Sequence, residues 1–209
     1  MEDLDQSEDK HLTSVFHLLR KLKTDKAMGS DRIPPLLLKM SAQYISEPLS
    51  HIYNLSFRTG LLPNAWKLAD IVPIPKTVPV QKNKLRPISL LPVISKVCEK
   101  IVLTNFYDFL ANLYDDFQYA YRKNSSTVCA LLAIHDAILC FLDDPDICAV
   151  RVITFDMSHA FDSVSHSMLL EKFLENSSPD SMFFIRWLRD YLTNRRQRVK
   201  TWRSDKCIL

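Results

Sequence analysis

Apolar positions at Leu12, Val15, Phe16, Leu19 and Leu22 recur at helical spacing, which predicts an amphipathic helix over about Lys10–Lys23. The stretch KAMGSDRIPP follows as a turn, punctuated by Gly29 and the Pro34-Pro35 pair. A second helix is expected over about Glu47–Thr59, with Pro48 in its first turn and Gly60 where a C-terminal cap belongs. LADIVPIPK reads as a short strand whose prolines suit a sheet edge. The polar residues Gln81–Lys84 lead into LRPISLLP. From Pro92 a long helix is predicted to about Leu113, with Val93, Val97, Ile101, Phe106, Phe109 and Leu113 on its apolar face.

Ser125, Ser126 and Thr127 offer N-caps for the helix VCALLAIHDAILCFL. After the turn DDPD comes ICAVRVITF, short, β-branched and nearly all apolar, which predicts an interior strand covered on both faces. Ser165 is placed to cap HSMLLEKFLEN, and a last helix, SMFFIRWLRDYLTNRR, leads into the strand-like QRVKTWR. Helices come first and strands with helices packed on them later, so the fold class is α+β or mixed α/β.

Composition narrows the function. With 209 residues, 47% apolar and 24% charged, the chain has room for a sizeable core. Only Gly29 and Gly60 are glycines, against a usual ~7%, so no Gly-rich phosphate loop can be built and P-loop and dinucleotide folds fall away. The five cysteines show no C-x-x-C spacing, a pattern of reduced thiols and not of a disulfide frame or zinc site. No signal-peptide pattern opens the chain and no apolar run approaches the ~20 residues of a membrane span. The expectation is therefore a soluble protein of the cytoplasm or nucleus.

Net charge is only +3, but its distribution is uneven. The first nine residues hold five acids (Glu2, Asp3, Asp5, Glu8, Asp9) and no base, read as a solvated tail or helix lead-in in preference to a binding arm. From Arg186 onward there are eight bases against Asp190 and Asp205, and Lys67–Lys100 carries seven against Asp70 and Glu99. Such faces either are solvated or track a phosphate backbone.

The stretch FDMSHAFDSVSH, from Phe155 to His166, carries the candidate chemistry. A strand buried on both faces cannot hold an ionised carboxylate inside without a strong partner. At the strand's end that cost disappears, and Asp156 sits there. Taken alone, such an aspartate starts a turn or caps a helix at least as readily as it holds a metal.

FDMSHAFDSVSH resembles the first catalytic motif, F-D-x-x-x-A-F-D-x-V, of reverse transcriptases of the non-LTR retrotransposon family (LINE-like, jockey-type). Four other segments resemble that family in the same order: KAMGSDRIPPLLLK, GLLPNAWKLADIVPIPK, LRPISLLPVISKVCEKIV and QYAYRKNSSTVCAL. Each alone is weak, and five in register across nearly the whole chain are specific.

The resemblance implies an RNA-directed DNA polymerase acting on an RNA template, a DNA primer and deoxynucleotides. It implies helix-rich fingers plus the start of a palm-type mixed sheet. The corresponding division is 1–25 as acidic lead and amphipathic helix, 26–142 as fingers and 143–209 as partial palm. Asp156 is then the catalytic metal ligand, helped by the main-chain carbonyl of Met157, for two Mg2+ ions serving nucleotidyl transfer. Phe161 lies beneath the incoming sugar, and Lys76 and Arg86 hold the triphosphate. Arg122 is a contact to nucleic-acid backbone or a plain surface arginine. Asp162 is assigned a structural role, and His159 departs from the family's common lysine. Ala120 and Asn124 stand where the family often has glycine.

The same resemblance calls for a Y-x-D-D hairpin and a P-Q-G segment after Asp162, and neither occurs there. LYDD at 113–116 and FLDD at 141–144 spell similar boxes, but both precede Asp156 beside turn residues and read as solvated helix ends. The sheet is thus expected to stop short of that hairpin, and these residues by themselves to lack polymerase activity. The competing expectation is a non-enzymatic nucleic-acid-binding or interaction module derived from a retrotransposon.

Overall fold

A computed structural model describes residues 15–75, 85–157, 160–201 and 204–206. The chain forms two compact units, one of residues 1–106 with 170–209 and one of residues 107–169. All the buried apolar side chains among the described residues belong to the first.

The first unit begins with α1, helical over residues 15–20, which buries Val15 and Leu19. A turn carries the chain to α2 (Pro35–Met40), whose proline sits in the first turn, where its missing N–H loses no bond. Within that turn Gly29 lies directly against the Leu91–Pro92 peptide, where an added Cβ would come within 2.4 Å of backbone atoms. Ser30 Oγ donates to the Leu68 carbonyl at 2.9 Å, tying the same turn to the first strand.

α3 (Ala42–Thr59) starts earlier than the sequence suggests and holds Pro48 in its interior. Pro48 forfeits one backbone bond, and the helix persists because Ala42, Ser46, Leu49, Tyr53 and Ser56 bury one continuous face. Gly60 ends it in the left-handed conformation (φ 68°), donating to the Ser56 carbonyl, as its placement predicts.

The sheet contains β1 (Leu68–Pro75), β2 (Leu85–Leu90), β3 (Arg196–Thr201) and β4 (Ser204–Lys206) in the order β2-β1-β3-β4. β1 pairs antiparallel with β2 and parallel with β3, and β3 pairs antiparallel with β4. The edge position expected for β1 is therefore incorrect: it is an interior strand. Its prolines are tolerated because β3 pairs only with Leu68–Ile71, while Pro73 and Pro75 face β2 alone, opposite Pro87 and Leu85.

α4 (Val93–Asn105) stops at Phe106, short of the predicted Leu113, and α5 (Tyr107–Ala111) follows. Its buried face is Val93, Val97, Cys98, Ile101 and Val102. Tyr53 crosses from α3, donating its hydroxyl to the Ile94 carbonyl at 2.8 Å, and burial pushes the Cys98 thiol up to about 12.

α8 (Met182–Leu192) closes the unit by burying Phe184, Ile185 and Trp187. Trp187 Nε1 donates to Ser56 Oγ at 3.0 Å, so the indole enters the core with its polar edge satisfied. Asp190 accepts from the Leu62 N–H at 2.6 Å and pairs with Lys67 at 2.9 Å. Lys67, counted in the sequence among bases free to meet phosphate, is only 3% exposed and is not available for that.

The second unit contains α5, α6 (Thr127–Leu142) and the start of α7 (His166–Glu175). Ser126 caps α6 by accepting from the Cys129 N–H, and Ser165 accepts from the Met168 N–H at the start of α7. α6 is mostly apolar, interrupted by His135 and Asp136, yet buries no side chain. The architecture is α+β, helix-rich with one small mixed sheet.

Candidate nucleotide and nucleic-acid site

The run Ile147–Phe155, predicted to be a strand covered on both faces, carries no strand. Its pattern calls for ladder partners and cover, and among the described residues every sheet pairing is made by β1–β4. Phe155 is 90% exposed, and Asp156 and Met157 follow it into solvent on irregular backbone. Phe161 is 79% exposed and meets Tyr121 edge-on, ring centroids 6.4 Å apart.

Tyr121 flanks Arg122, and the turn around them is bent. Tyr121 (φ 62°) and Asn124 (φ 58°) are both left-handed. Asparagine tolerates that conformation, whereas tyrosine is strained in it. The turn is pinned by the Lys123 N–H donating to the Tyr107 hydroxyl at 3.0 Å, with the Lys123 ammonium 4.2 Å from that ring's centre. Arg122 itself is exposed.

Of the two aspartate pairs that imitate a second catalytic motif, one carboxylate in each is engaged in a local turn and Asp143 stands at the end of α6. Asp115 accepts from the Phe117 N–H, Asp143 caps α6, and Asp144 accepts from the Asp146 N–H. Among the described residues no three His, Cys, Asp or Glu side chains converge as a metal set. Asp156 with one carbonyl does not fit a two-metal cage, which needs further carboxylate oxygens.

Of the predicted triphosphate ligands, Arg86 is exposed on β2 opposite Ile74 in the first unit. Lys76 lies outside the described residues. Asp156, Met157, Phe161 and Arg122 belong to the second unit, where the structure brings Phe161 beside Tyr121.

A basic groove of about 1040 Å³ opens in the first unit where β3 begins, and it includes Arg195, Arg196 and Arg198 with Asn64, Asn194 and Ser89. Asn194 takes a left-handed turn (φ 54°) after α8, which swings the next residues onto the sheet beside Leu68 and Ala69. Two of the three arginines are held in place. Arg198 donates to Asp70 Oδ1 from Nε at 2.9 Å and from Nη2 at 2.7 Å, and Asp70 is 3% exposed. Arg195 lies 4.4 Å over the Tyr191 ring and donates to its carbonyl at 3.1 Å. Arg196 is exposed and has no partner among the described residues. Sequence reasoning counted these bases without singling them out; the signal was the dense run NRRQRVK after an amphipathic helix.

Behind Arg195 lies Glu99, whose carboxyl is raised above the ordinary range chiefly by burial, against the lowering effects of a Ser95 hydroxyl 3.1 Å away and the Arg195 charge. A raised folded value means that the stability Glu99 provides is complete below its unfolded value and is lost as pH rises through the folded one. Glu99→Gln keeps an acceptor for Ser95 and removes the buried charge. It is expected to raise the urea midpoint at pH 7 relative to the parent, with a smaller difference at pH 4; equal shifts at both would show that burial of the charge is not the cause.

Residues 74–207 match the reverse transcriptase (RNA-dependent DNA polymerase) family, and the chain belongs to it. It is 29% identical over 194 residues to a probable RNA-directed DNA polymerase from transposon BS of Drosophila melanogaster, covering 91% of this chain and 21% of that protein. It is 28% identical over 165 residues to the RNA-directed DNA polymerase from mobile element jockey of the same organism, covering 77% and 18%. A probable RNA-directed DNA polymerase from transposon X-element, also of Drosophila melanogaster, is 28% identical over 190 residues, covering 89% and 20%. The chain thus spans about a fifth of the length of these relatives. The resemblance to jockey-type elements accords with these matches. No helix among the described residues is long and apolar enough to cross a membrane.

Proposed function

We propose that this chain forms the fingers and the first part of the palm of an RNA-directed DNA polymerase working on RNA template, DNA primer and deoxynucleotides in the cytoplasm or nucleus. The observation that carries the binding half of this reading is the arginine groove at the start of β3, with Arg196 uncommitted and exposed. A guanidinium there donates to phosphate oxygens from a fixed fork, while Asp70 and Tyr191 keep its neighbours aimed. Arg86, and Lys76 by family correspondence, take the triphosphate, and Phe161 offers its ring to the sugar. Asp156 would hold one carboxylate toward the Mg2+ ions of the assembled enzyme, and those ions, when bound, would supply the charge neutralisation that nucleotidyl transfer needs. These 209 residues do not complete that cage, so alone they bind substrates without joining them.

Fluorescence anisotropy with a labelled RNA–DNA hybrid tests the binding half. Affinity is expected to fall steeply between about 50 and 200 mM salt. Arg196→Ala is expected to weaken binding uniformly across sequences and to reduce the log–log salt slope by about 1. An absence of affinity at low salt, or an unchanged slope in the variant, contradicts the assignment.

A further inference from the structure

The burial pattern of α2 and α3 runs through Ser41 in one helical register, because the Ser41 N–H donates to the Leu37 carbonyl and the Ser41 carbonyl accepts from the Ile45 N–H. Pro35, Leu38, Ala42, Ser46, Leu49 and Tyr53 therefore line one face, buried in the first unit. Leu37, Met40, Tyr44 and Leu55 lie on the opposite face at helical spacing, with Leu36 and Ile52 on its flanks. These side chains are between 39% and 79% exposed. At about 180 Å² for a fully open large side chain, those fractions leave roughly 600 Å² of apolar surface, the top of the range for the largest patch on a monomer. Pro48 and His51, exposed between Tyr44 and Leu55, extend it. A standard interface takes about 800 Å² from each partner, so the stripe approaches the area that a stable dimer needs.

The charges on the stripe select its occupant. Glu47 and His51 stand one turn apart on α3, both are exposed, and neither has a side-chain partner among the described residues. A nucleic acid would leave the apolar side chains wet and meet a carboxylate at their centre. A second copy meets neither obstacle. In an antiparallel pair of identical helices, residues oppose each other when their numbers add to a constant, and the same flank of each helix stays on one side. A two-fold axis at the middle of the apolar stripe, near Ser46, would bring the two Glu47 carboxylates together. At the level of Leu49 and Ser50 the conflict becomes a complement. Each Glu47 then opposes the partner's His51, Tyr44 opposes the partner's Leu55, and Pro48 opposes the partner's Ile52. The stripe is self-complementary in apolar residues and in polar ones, the condition that a two-fold interface sets. Its spacing of threes and fours suits helices crossing at about 20°.

We propose that α2 and α3 form a self-association surface on which a second copy of the chain docks, antiparallel and two-fold related, α3 against α3. The surface shares no residue with the arginine groove, so pairing and substrate binding are separately measurable.

Sedimentation velocity of the full chain tests it. A reversible monomer–dimer equilibrium with a Kd in roughly the micromolar range is expected. Leu55→Glu is expected to weaken it at least tenfold with the circular dichroism unchanged. Glu47→Lys sets a cation beside the partner's His51 and is expected to weaken it several-fold, while Glu47→Lys/His51→Glu restores the parent value with the roles exchanged. A monomer at about 100 μM, assembly that continues past the dimer, or a dimer indifferent to Leu55→Glu overturns the proposal. So does a dimer lost in Leu131→Glu but not in Leu55→Glu, which moves the interface to the exposed leucines of α6. Failure of the double variant to recover what Glu47→Lys loses overturns the antiparallel pairing, and the proposal with it.

Discussion

Asp70→Ala is expected to destabilise the first unit by about 3–5 kcal/mol, the range for breaking a buried ion pair by removing one partner. The cost arises from what is left behind. Asp70 is 3% exposed on an interior strand, and its carboxylate takes two donors from Arg198. Without it, a guanidinium remains against the sheet with its charge uncompensated. Asp70→Leu combined with Arg198→Met replaces the pair by apolar groups and is expected to recover much of the loss, since well-packed hydrophobic substitutes for buried pairs are often neutral or better. Urea denaturation followed by Trp66 and Trp187 fluorescence reads both values. A single variant within about 1 kcal/mol of the parent would show that the pair is solvated in solution. The same alanine variant should also weaken hybrid binding beyond its stability effect, because Arg198 lines the groove that Asp70 aims.

Gly29→Ala is expected to cost about 3 kcal/mol, at the upper end of overpacking. The new methyl would sit 2.4 Å from the Leu91 carbonyl carbon and oxygen and from the Pro92 nitrogen. These are backbone atoms, so relief requires moving either the turn before α2 or the junction between β2 and α4. Strand–helix packing here therefore depends on a missing side chain. The urea midpoint measures the loss, and a midpoint equal to the parent's would mean that one of those two segments shifts freely. The glycine of KAMGSDRIPP, noted in the sequence only as turn punctuation, thus gains a physical reason: close approach, not a left-handed φ.

The sequence was informative wherever local chemistry decides. Gly60 ending α3, a cap for α6 among Ser125, Ser126 and Thr127, and the succession of α8 into β3 were all readable, because caps and helical periodicity act over a few residues. Long-range pairings were not. Asp70 and Arg198 lie 128 positions apart, and nothing in either neighbourhood announces the other. Lys67 looked like one more surface base until Asp190 on a distant helix enclosed it. β1 was misjudged because its prolines suggested an edge, while only its proline-free half meets β3. The run Ile147–Phe155 shows the converse: an interior-strand pattern states what a segment requires, and a strand forms only where a partner pairs with it. Motif order carried the family assignment further than secondary structure did, with the family match over residues 74–207 spanning three of the five segments whole and the last three residues of GLLPNAWKLADIVPIPK.

Primer extension is the most direct test of the central claim, that Asp156 is one part of a catalytic carboxylate set these residues do not complete. The purified 209-residue chain, given an RNA template, an annealed DNA primer, Mg2+ and deoxynucleotides, should yield no extended primer above an enzyme-free control while still binding the hybrid. Templated extension by the pure chain, abolished in Asp156→Asn, would contradict the claim.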